Sequence, residues 1–297
     1  MQTFRVEQTG LLLDYLAAAI GNRTRAKQWL KLRQVLVNGE TADRHDRQLS
    51  PGDVIRIGPP QRAPSGTIPG VEIVYEDDSI LVVDKPAGLL TIATDAERTR
   101  TAYFKATEYV RQRSRPGDGR VFIVHRLDRE TSGLLVFAKT EAAKHELQTG
   151  WEEVEKRYYA VVEGGPREKT GTIESELTET AAYGVFSGRK TKRSKHAVTH
   201  YTVLKEAETR SLLEIRTDTG RKHQIRVHLA DLGHPIVGDA RYGKGRAAGR
   251  LGLHASYLRF RHPATGEFVE FRSELPAALR RELSLPSKTS KRRGGTP

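Results

Sequence analysis

The sequence predicts an α+β protein: a small αα-β module at the N-terminus, then a larger domain built on a mixed, mostly antiparallel sheet. Three observations predict it. Two short amphipathic stretches open the chain and lead into a Val35-Leu36-Val37-Asn38-Gly39 hairpin signal. Gly58, Pro59, Pro60, Pro64, Gly66, Pro69 and Gly70 then crowd one segment too densely for regular structure. Beyond it, short strand-like apolar runs outnumber helical windows, as expected of strands that pair with chain neighbours. The predicted boundaries are 1–58 for the module, 59–70 for a linker, 71–286 for the large domain and 287–297 for a tail. The tail carries Lys288, Lys291, Arg292 and Arg293 with almost nothing apolar, so disorder is expected.

In the module, Leu11, Leu12, Tyr15, Leu16, Ala19 and Ile20 fall at helical spacing, and Gly21 supplies a stop. Asn22 or Thr24 can cap a second helix whose Ala26, Trp29 and Leu30 face inward. Arg23, Arg25, Lys27, Lys31 and Arg33 occupy its other faces. Gly52-Asp53 precedes a closing strand, Val54 to Ile57. In the large domain, Val71 to Tyr75, an acidic turn at Glu76-Asp77-Asp78, and Ile80 to Val83 predict a hairpin. Further strands are predicted at Val121 to Val124, Leu134 to Ala138, Tyr158 to Val162, Val198 to Leu204, Leu212 to Arg216, Tyr257 to Phe260 and Phe268 to Phe271. A helix from His223 to Asp231, stopped by Gly233, is the main helical prediction in this part.

Composition narrows the function. The 297 residues hold 50 Lys and Arg against 37 Asp and Glu, a formal net charge of +13, which points to a polyanionic partner. No cysteine is present, which excludes disulfides, thiolate nucleophiles and cysteine-based zinc sites. The apolar stretch Leu11 to Ile20 is interrupted by Asp14, is too short to span a bilayer, and lacks the flanks of a signal peptide. A soluble cytoplasmic protein, without membrane contact and monomeric, is the expectation.

The most informative stretch is His125-Arg126-Leu127-Asp128-Arg129-Glu130-Thr131-Ser132-Gly133-Leu134-Leu135. It sets a carboxylate between two arginines on a loop between two predicted buried strands, a common mounting for chemistry. The flanking guanidiniums favour the ionised form, so Asp128 is expected to be a charged nucleophile or base. A turn aspartate bonding backbone amides, or half of a surface ion pair, fits the same residues.

That motif, Asp84-Lys85-Pro86-Ala87-Gly88-Leu89 and Gly220-Arg221-Lys222-His223-Gln224-Ile225-Arg226 together resemble the RluA-type pseudouridine synthases. Gly233 to Asp239, Tyr242-Gly243, Leu253-His254-Ala255 and His262-Pro263-x-Thr265-Gly266 extend the match, in order, over roughly residues 71–275. The module, through Arg23, Arg25, Val35 to Gly39 and Gly52 to Ile55, resembles the alpha-L RNA-binding domain. The resemblance implies an enzyme that isomerises uridine in structured RNA to pseudouridine, with no cofactor and no metal. It makes Asp128 the catalytic carboxylate and Arg126 the residue that displaces the target base. It implies that Tyr158 stacks on that base, that Arg226 pairs with the carboxylate, and that Arg221 contacts phosphate.

Other constellations in the chain carry plainer readings. His223 and His228 are five apart, which suits a helical metal pair poorly. His125, His234, His254 and His262 are expected to be hydrogen-bonded structural residues. The run Arg189-Lys190-Thr191-Lys192-Arg193-Ser194-Lys195 reads as a loop tracking RNA phosphates. The expected partner is RNA: large-subunit ribosomal RNA first, with transfer RNA as the alternative. A non-catalytic RNA-binding or ribosome-assembly factor and a nucleoside glycosidase are the readings from other classes.

Overall fold

A computed structural model describes residues 2–31, 34–42, 44–57, 67–114, 119–180, 184–243 and 249–283. Arg33, most of the predicted linker and the basic tail lie outside the described residues. The described chain falls into two compact units, 1–155 with 257–273 and 156–256 with 274–297.

The first unit opens with the predicted module. Its elements are β1 (Gln2–Arg5), β2 (Gly10–Leu11), α1 (Leu12–Ile20), α2 (Arg23–Lys31), β3 (Val35–Val37), β4 (Glu40–Thr41), β5 (Gln48–Leu49) and β6 (Val54–Ile57). The strands form a sheet of order β1-β6-β3-β4 and a separate β2-β5 pair. α1 ends at Gly21 in the left-handed region, and Asn22 caps α2 by accepting from the Arg25 amide at 2.9 Å. The β3–β4 turn is Asn38-Gly39, with φ of 55° and 89°, the geometry a two-residue hairpin demands. Leu12, Leu13, Leu16, Ala26, Trp29, Leu30, Val35, Val37 and Ile55 close one core. Leu13, not Ala19, completes the buried face of α1, because packing against α2 selects the Leu12-Leu13-Leu16 side.

The same unit continues with β7 (Glu72–Glu76), β8 (Ile80–Lys85), α3 (Ala102–Arg111), β9 (Phe122–Ile123), β10 (Ser132–Ala138) and α4 (Glu141–Thr149). β7, β8 and β10 pair antiparallel in that order, and β9 pairs with the end of β10. In this register Gly133 lies opposite Lys85 and Leu134 opposite Asp84, so β8 and the start of β10 run side by side. β10 is buried along its whole length, as its continuous apolar run predicts.

The second unit holds β11 (Glu155–Glu163), β12 (Thr170–Glu179), β13 (Val185–Gly188), β14 (Lys195–Glu206), β15 (Arg210–Thr217) and α5 (Gln224–Asp231). Its strands are antiparallel in the order β13-β12-β14-β15-β11. α5 covers them through Ile225 and Leu229, which join Ala160, Val162, Leu213 and Ile215 in a core.

β16 (Leu253–Arg261) begins in the second unit and ends in the first, where it pairs with β17 (Phe268–Arg272). Leu258, Phe260, Val269 and Phe271 of this pair share a core with Tyr75, Val82, Leu134 and Val136. The last element is α6 (Ala277–Glu282), whose Leu279 is buried against Val161 and Leu212. The fold is mixed α+β with antiparallel strands, as predicted.

Candidate active site

Arg126 and Asp128 share the loop between β9 and β10. Arg126 is exposed, Leu127 is buried and Asp128 is half-buried. The loop is clamped from one side by the segment that follows β8. Thr91 Oγ1 donates to the Leu127 carbonyl at 2.7 Å and accepts from the Leu127 amide at 3.2 Å. Two residues on, the Arg129 carbonyl accepts from the Gly88 amide at 2.9 Å and from Lys85 Nζ at 3.2 Å.

Lys85 is wholly buried, and its Nζ also donates to the carbonyls of Leu89 at 2.7 Å and Pro86 at 3.0 Å. Three carbonyls thus meet the three ammonium protons, which lets the charge stay in the interior. The turn is closed by the Thr131 amide, which donates to the Asp128 carbonyl at 3.2 Å. His125 is structural here: Nε2 accepts from the Val136 amide at 3.1 Å and the ring lies 4.7 Å from Trp151. A cleft of about 590 Å³ flanks the loop, with Arg100, Lys105, Arg129 and Glu97 among its lining residues.

The other residues assigned from the sequence stand in the second unit. Tyr158 sits on β11 opposite Ile215, and its ring packs on the cluster that holds Ile225 and Leu229 of α5. Tyr159 faces the other way, onto Val161, Leu212 and Val237, as strand alternation predicts.

α5 begins at an unusual corner. His223 precedes it with φ of 54°, a left-handed conformation rare outside glycine and asparagine. Gln224 stabilises that corner: its Oε1 accepts from Thr219 Oγ1 at 2.8 Å and from the Arg221 amide at 3.0 Å. Its Nε2 donates to the Val198 carbonyl at 2.9 Å. The result separates two arginines of one motif. Arg221 is exposed, with Nε donating to the His196 carbonyl at 3.1 Å, whereas Arg226 is buried.

Arg226 donates from Nε and Nη2 to the two oxygens of Asp239, each at 2.8 Å. Asp239 Oδ1 also accepts from the amides of Arg241 at 2.9 Å and Tyr242 at 3.0 Å. Burial alone raises a carboxyl pKa, but these donors outweigh it and hold Asp239 below its ordinary value. The Arg226 guanidinium also lies 5.2 Å from the Tyr242 ring centroid, and the Tyr242 hydroxyl is 2.8 Å from His223 Nδ1. Asp239 and Tyr242 belong to the Gly233 to Asp239 and Tyr242-Gly243 motifs, and the residue pattern alone gives them no role. The signal for them was the spacing Gly238-Asp239 and Tyr242-Gly243. A Cβ at Gly238 would meet the Arg250 carbonyl oxygen at 2.2 Å, and one at Gly243 would meet the Asp239 carbonyl oxygen at 2.4 Å.

Three further histidines, His228, His234 and His262, have structural partners. His228 is fully buried between Ser175 Oγ and Thr199 Oγ1, each at 2.9 Å, and burial lowers its pKa. His234 Nδ1 meets the Glu163 carbonyl at 3.1 Å, and His262 pairs with Asp77 at 2.9 Å. Among the described residues no group of three or more His, Asp or Glu side chains is placed to hold a metal ion.

Residues 79–231, which carry the Asp128 loop, Tyr158 and the start of α5, match the family described as RNA pseudouridylate synthase. The chain belongs to that family. It is 36% identical to the uncharacterized RNA pseudouridine synthase YlyB of Bacillus subtilis, over 91% of this chain and 92% of that one. It is 34% identical to the ribosomal large subunit pseudouridine synthase D of Vibrio cholerae, over 93% of this chain and 91% of that one. The solved structure of human RNA pseudouridylate synthase domain containing 1 superposes with a TM-score of 0.58 at 30% identity, covering 73% of this chain and 89% of that chain. The synthase is thus an isomerase acting on RNA. None of its described helices is long and apolar enough to cross a membrane.

Proposed function

We propose that this synthase isomerises uridines of large-subunit ribosomal RNA, with Asp128 as the carboxylate that acts on the target nucleotide. The observation that carries the ribosomal target is the 34% identity to a synthase named for the large ribosomal subunit, which extends over 93% of this chain. The small module supports it: Arg23, Arg25 and Lys27 are exposed on α2, a cationic face suited to folded RNA. Arg189, Lys190, Lys192, Arg193 and Lys195, around the turn between β13 and β14, are exposed as well and offer further cations to RNA phosphates.

The reaction breaks the bond from N1 of uracil to the ribose, turns the base in place and joins C5 to the ribose. The proton lost from C5 is balanced by one gained at N1, so no oxidant or reductant enters. Asp128 attacks base or sugar, or stabilises a sugar cation, from a loop whose backbone is held on both sides. The target base must first leave its stack. Arg126, exposed on the same loop, takes the vacated place, a task suited to a planar guanidinium. Tyr158 stacks on the turned base, and its hydroxyl can relay the proton. Arg226, fixed by Asp239, is the permanent positive charge that the family resemblance assigns to keeping the catalytic carboxylate ionised. Arg221, exposed at the start of the α5 corner, grips a phosphate.

Uridine tritiated at C5 releases tritium when the C5 proton is lost. Purified protein incubated with ribosomal and transfer RNA should release tritium from the ribosomal RNA, and Asp128→Asn should release none while still binding it. Release from transfer RNA alone overturns the ribosomal target. Full activity in Asp128→Asn overturns the role of that carboxylate, and free uracil as the product makes the protein a glycosidase.

A further inference from the structure

We infer that Thr91 is a positioning residue of this synthase, setting the directions of Arg126 and Asp128 through the backbone of Leu127. The inference rests on the reading of Asp128 as the catalytic carboxylate. Leu127 is the single residue between the two functional side chains, so a change in its φ or ψ swings one against the other. It lies between the end of β9 at Ile123 and the start of β10 at Ser132, beyond both strands. Its carbonyl and its amide both go to one hydroxyl, Thr91 Oγ1, at 2.7 and 3.2 Å. A hydroxyl is the smallest side-chain group that donates and accepts at once, and this one is 3% exposed, so bulk water does not compete for it.

The far side of Asp128 is held by the same segment, through Gly88 and Lys85 on the Arg129 carbonyl. Asp128 is therefore suspended between two neighbours whose backbone is anchored. Thr91 itself belongs to a second short stretch fixed by the fold: the Tyr103 amide donates to the Thr91 carbonyl at 3.0 Å, and the Ala102 amide to the Leu90 carbonyl at 2.8 Å. The hydroxyl that holds Leu127 is thus mounted on backbone tied to the start of α3.

Valine has the shape of threonine without the hydroxyl, whereas serine keeps the hydroxyl and loses a methyl. The test compares wild type, Thr91→Val and Thr91→Ser in single-turnover tritium release with enzyme in excess over RNA, recording rate constant and final amplitude separately. The expected result is full amplitude in Thr91→Val with a rate constant about 10- to 100-fold lower, the range a misplaced reacting group produces. Thr91→Ser should stay within about threefold of wild type.

A lower amplitude at an unchanged rate constant would mean that Thr91 only keeps molecules folded, and overturns the inference. So do an unchanged rate in Thr91→Val and an equal loss in both variants. If Thr91→Val does not fold, Thr91→Ala takes its place with the same readings. Failure of the underlying reading is distinguishable: it shows as full activity in Asp128→Asn, whatever the Thr91 variants do.

Discussion

Arg226 and Asp239 meet edge to edge, Nε to Oδ2 and Nη2 to Oδ1 at 2.8 Å each, with the carboxylate side chain wholly buried. Two further backbone amides complete the acceptor shell of Asp239. A guanidinium held along one edge by such a fork has no rotamer freedom left, and its remaining N–H groups point in one direction. The pair therefore serves orientation more than stability, since desolvation offsets most of the attraction in a buried pair.

Removing Asp239 should expose that cost. Asp239→Ala leaves a buried guanidinium and two amides without acceptors, so a loss of about 3–5 kcal/mol in urea unfolding is expected. The double variant Arg226→Met, Asp239→Leu should regain part of that stability and remain inactive in tritium release. A double variant as active as wild type would remove Arg226 from the mechanism.

Arg126 should separate binding from turnover. Its side chain is exposed, and affinity for RNA comes mainly from phosphate contacts spread over the surface. Arg126→Ala is expected to lower kcat by about 10- to 100-fold, the worth of one stacking contact, with Kd changed less than about threefold. Equal losses in filter-binding affinity and in kcat would assign it to binding alone.

Deleting residues 1–58 should redirect the enzyme without unfolding it. The module closes its own core, and the β7–β10 sheet closes another with β16 and β17. The truncated protein is expected to keep its remaining tertiary signal and lose affinity. Removal of the cations Arg23, Arg25 and Lys27 should flatten the slope of log Kd against log salt by roughly two to three. An unchanged slope and an unchanged target pattern would show that the module does not touch RNA.

His254 should make the fold sensitive to mild acid. Burial first, and the nearby Arg250 second, bring its pKa from 6.5 down to about 4. Between those values the unfolded chain binds a proton that the folded chain refuses, so stability is complete above about pH 6.5 and falls as pH drops toward 4. A shift of this size is worth roughly 3 kcal/mol. The buried His228 adds to the same trend, because burial lowers its pKa too. Urea midpoints measured from pH 7 to pH 4.5 should decline, and His254→Gln should flatten the curve. An equally steep curve in that variant would place the acid sensitivity elsewhere.

Some elements were easier to read than others. The Asn38-Gly39 turn declares itself, because few residues tolerate two successive positive φ values, and β10 declares itself through an unbroken apolar run. β12 does not: Thr170 to Glu179 offers only Ile173 and Leu177 as apolar residues, and pairing with β13 and β14 makes it a strand. α3 and α4 were missed for a related reason. α4 buries only Ala143 and Leu147, and α3 buries a face of mixed small, polar and aromatic residues (Ala102, Ala106, Thr107, Tyr109 and Val110). Each is begun by a threonine cap, Thr101 or Thr140. At the site, Asp128 and Arg126 were legible because adjacent residues carry the pattern. Thr91 was not, since its partner lies 36 positions away.

By itself, then, the amino-acid order determined the strands with strong apolar runs, the basic module, the absence of thiol chemistry and the loop that carries Asp128. These depend on neighbours in the chain, where turn geometry and hydrophobic pattern act within a few residues. Only the tertiary structure decided that Arg226 is buried on Asp239 while Arg221 of the same motif is exposed. It also decided that one hydroxyl from Thr91 satisfies both backbone groups of Leu127. Burial and hydrogen-bond partnership are properties of groups brought together by folding, and a residue's type does not record which distant atoms will complete it.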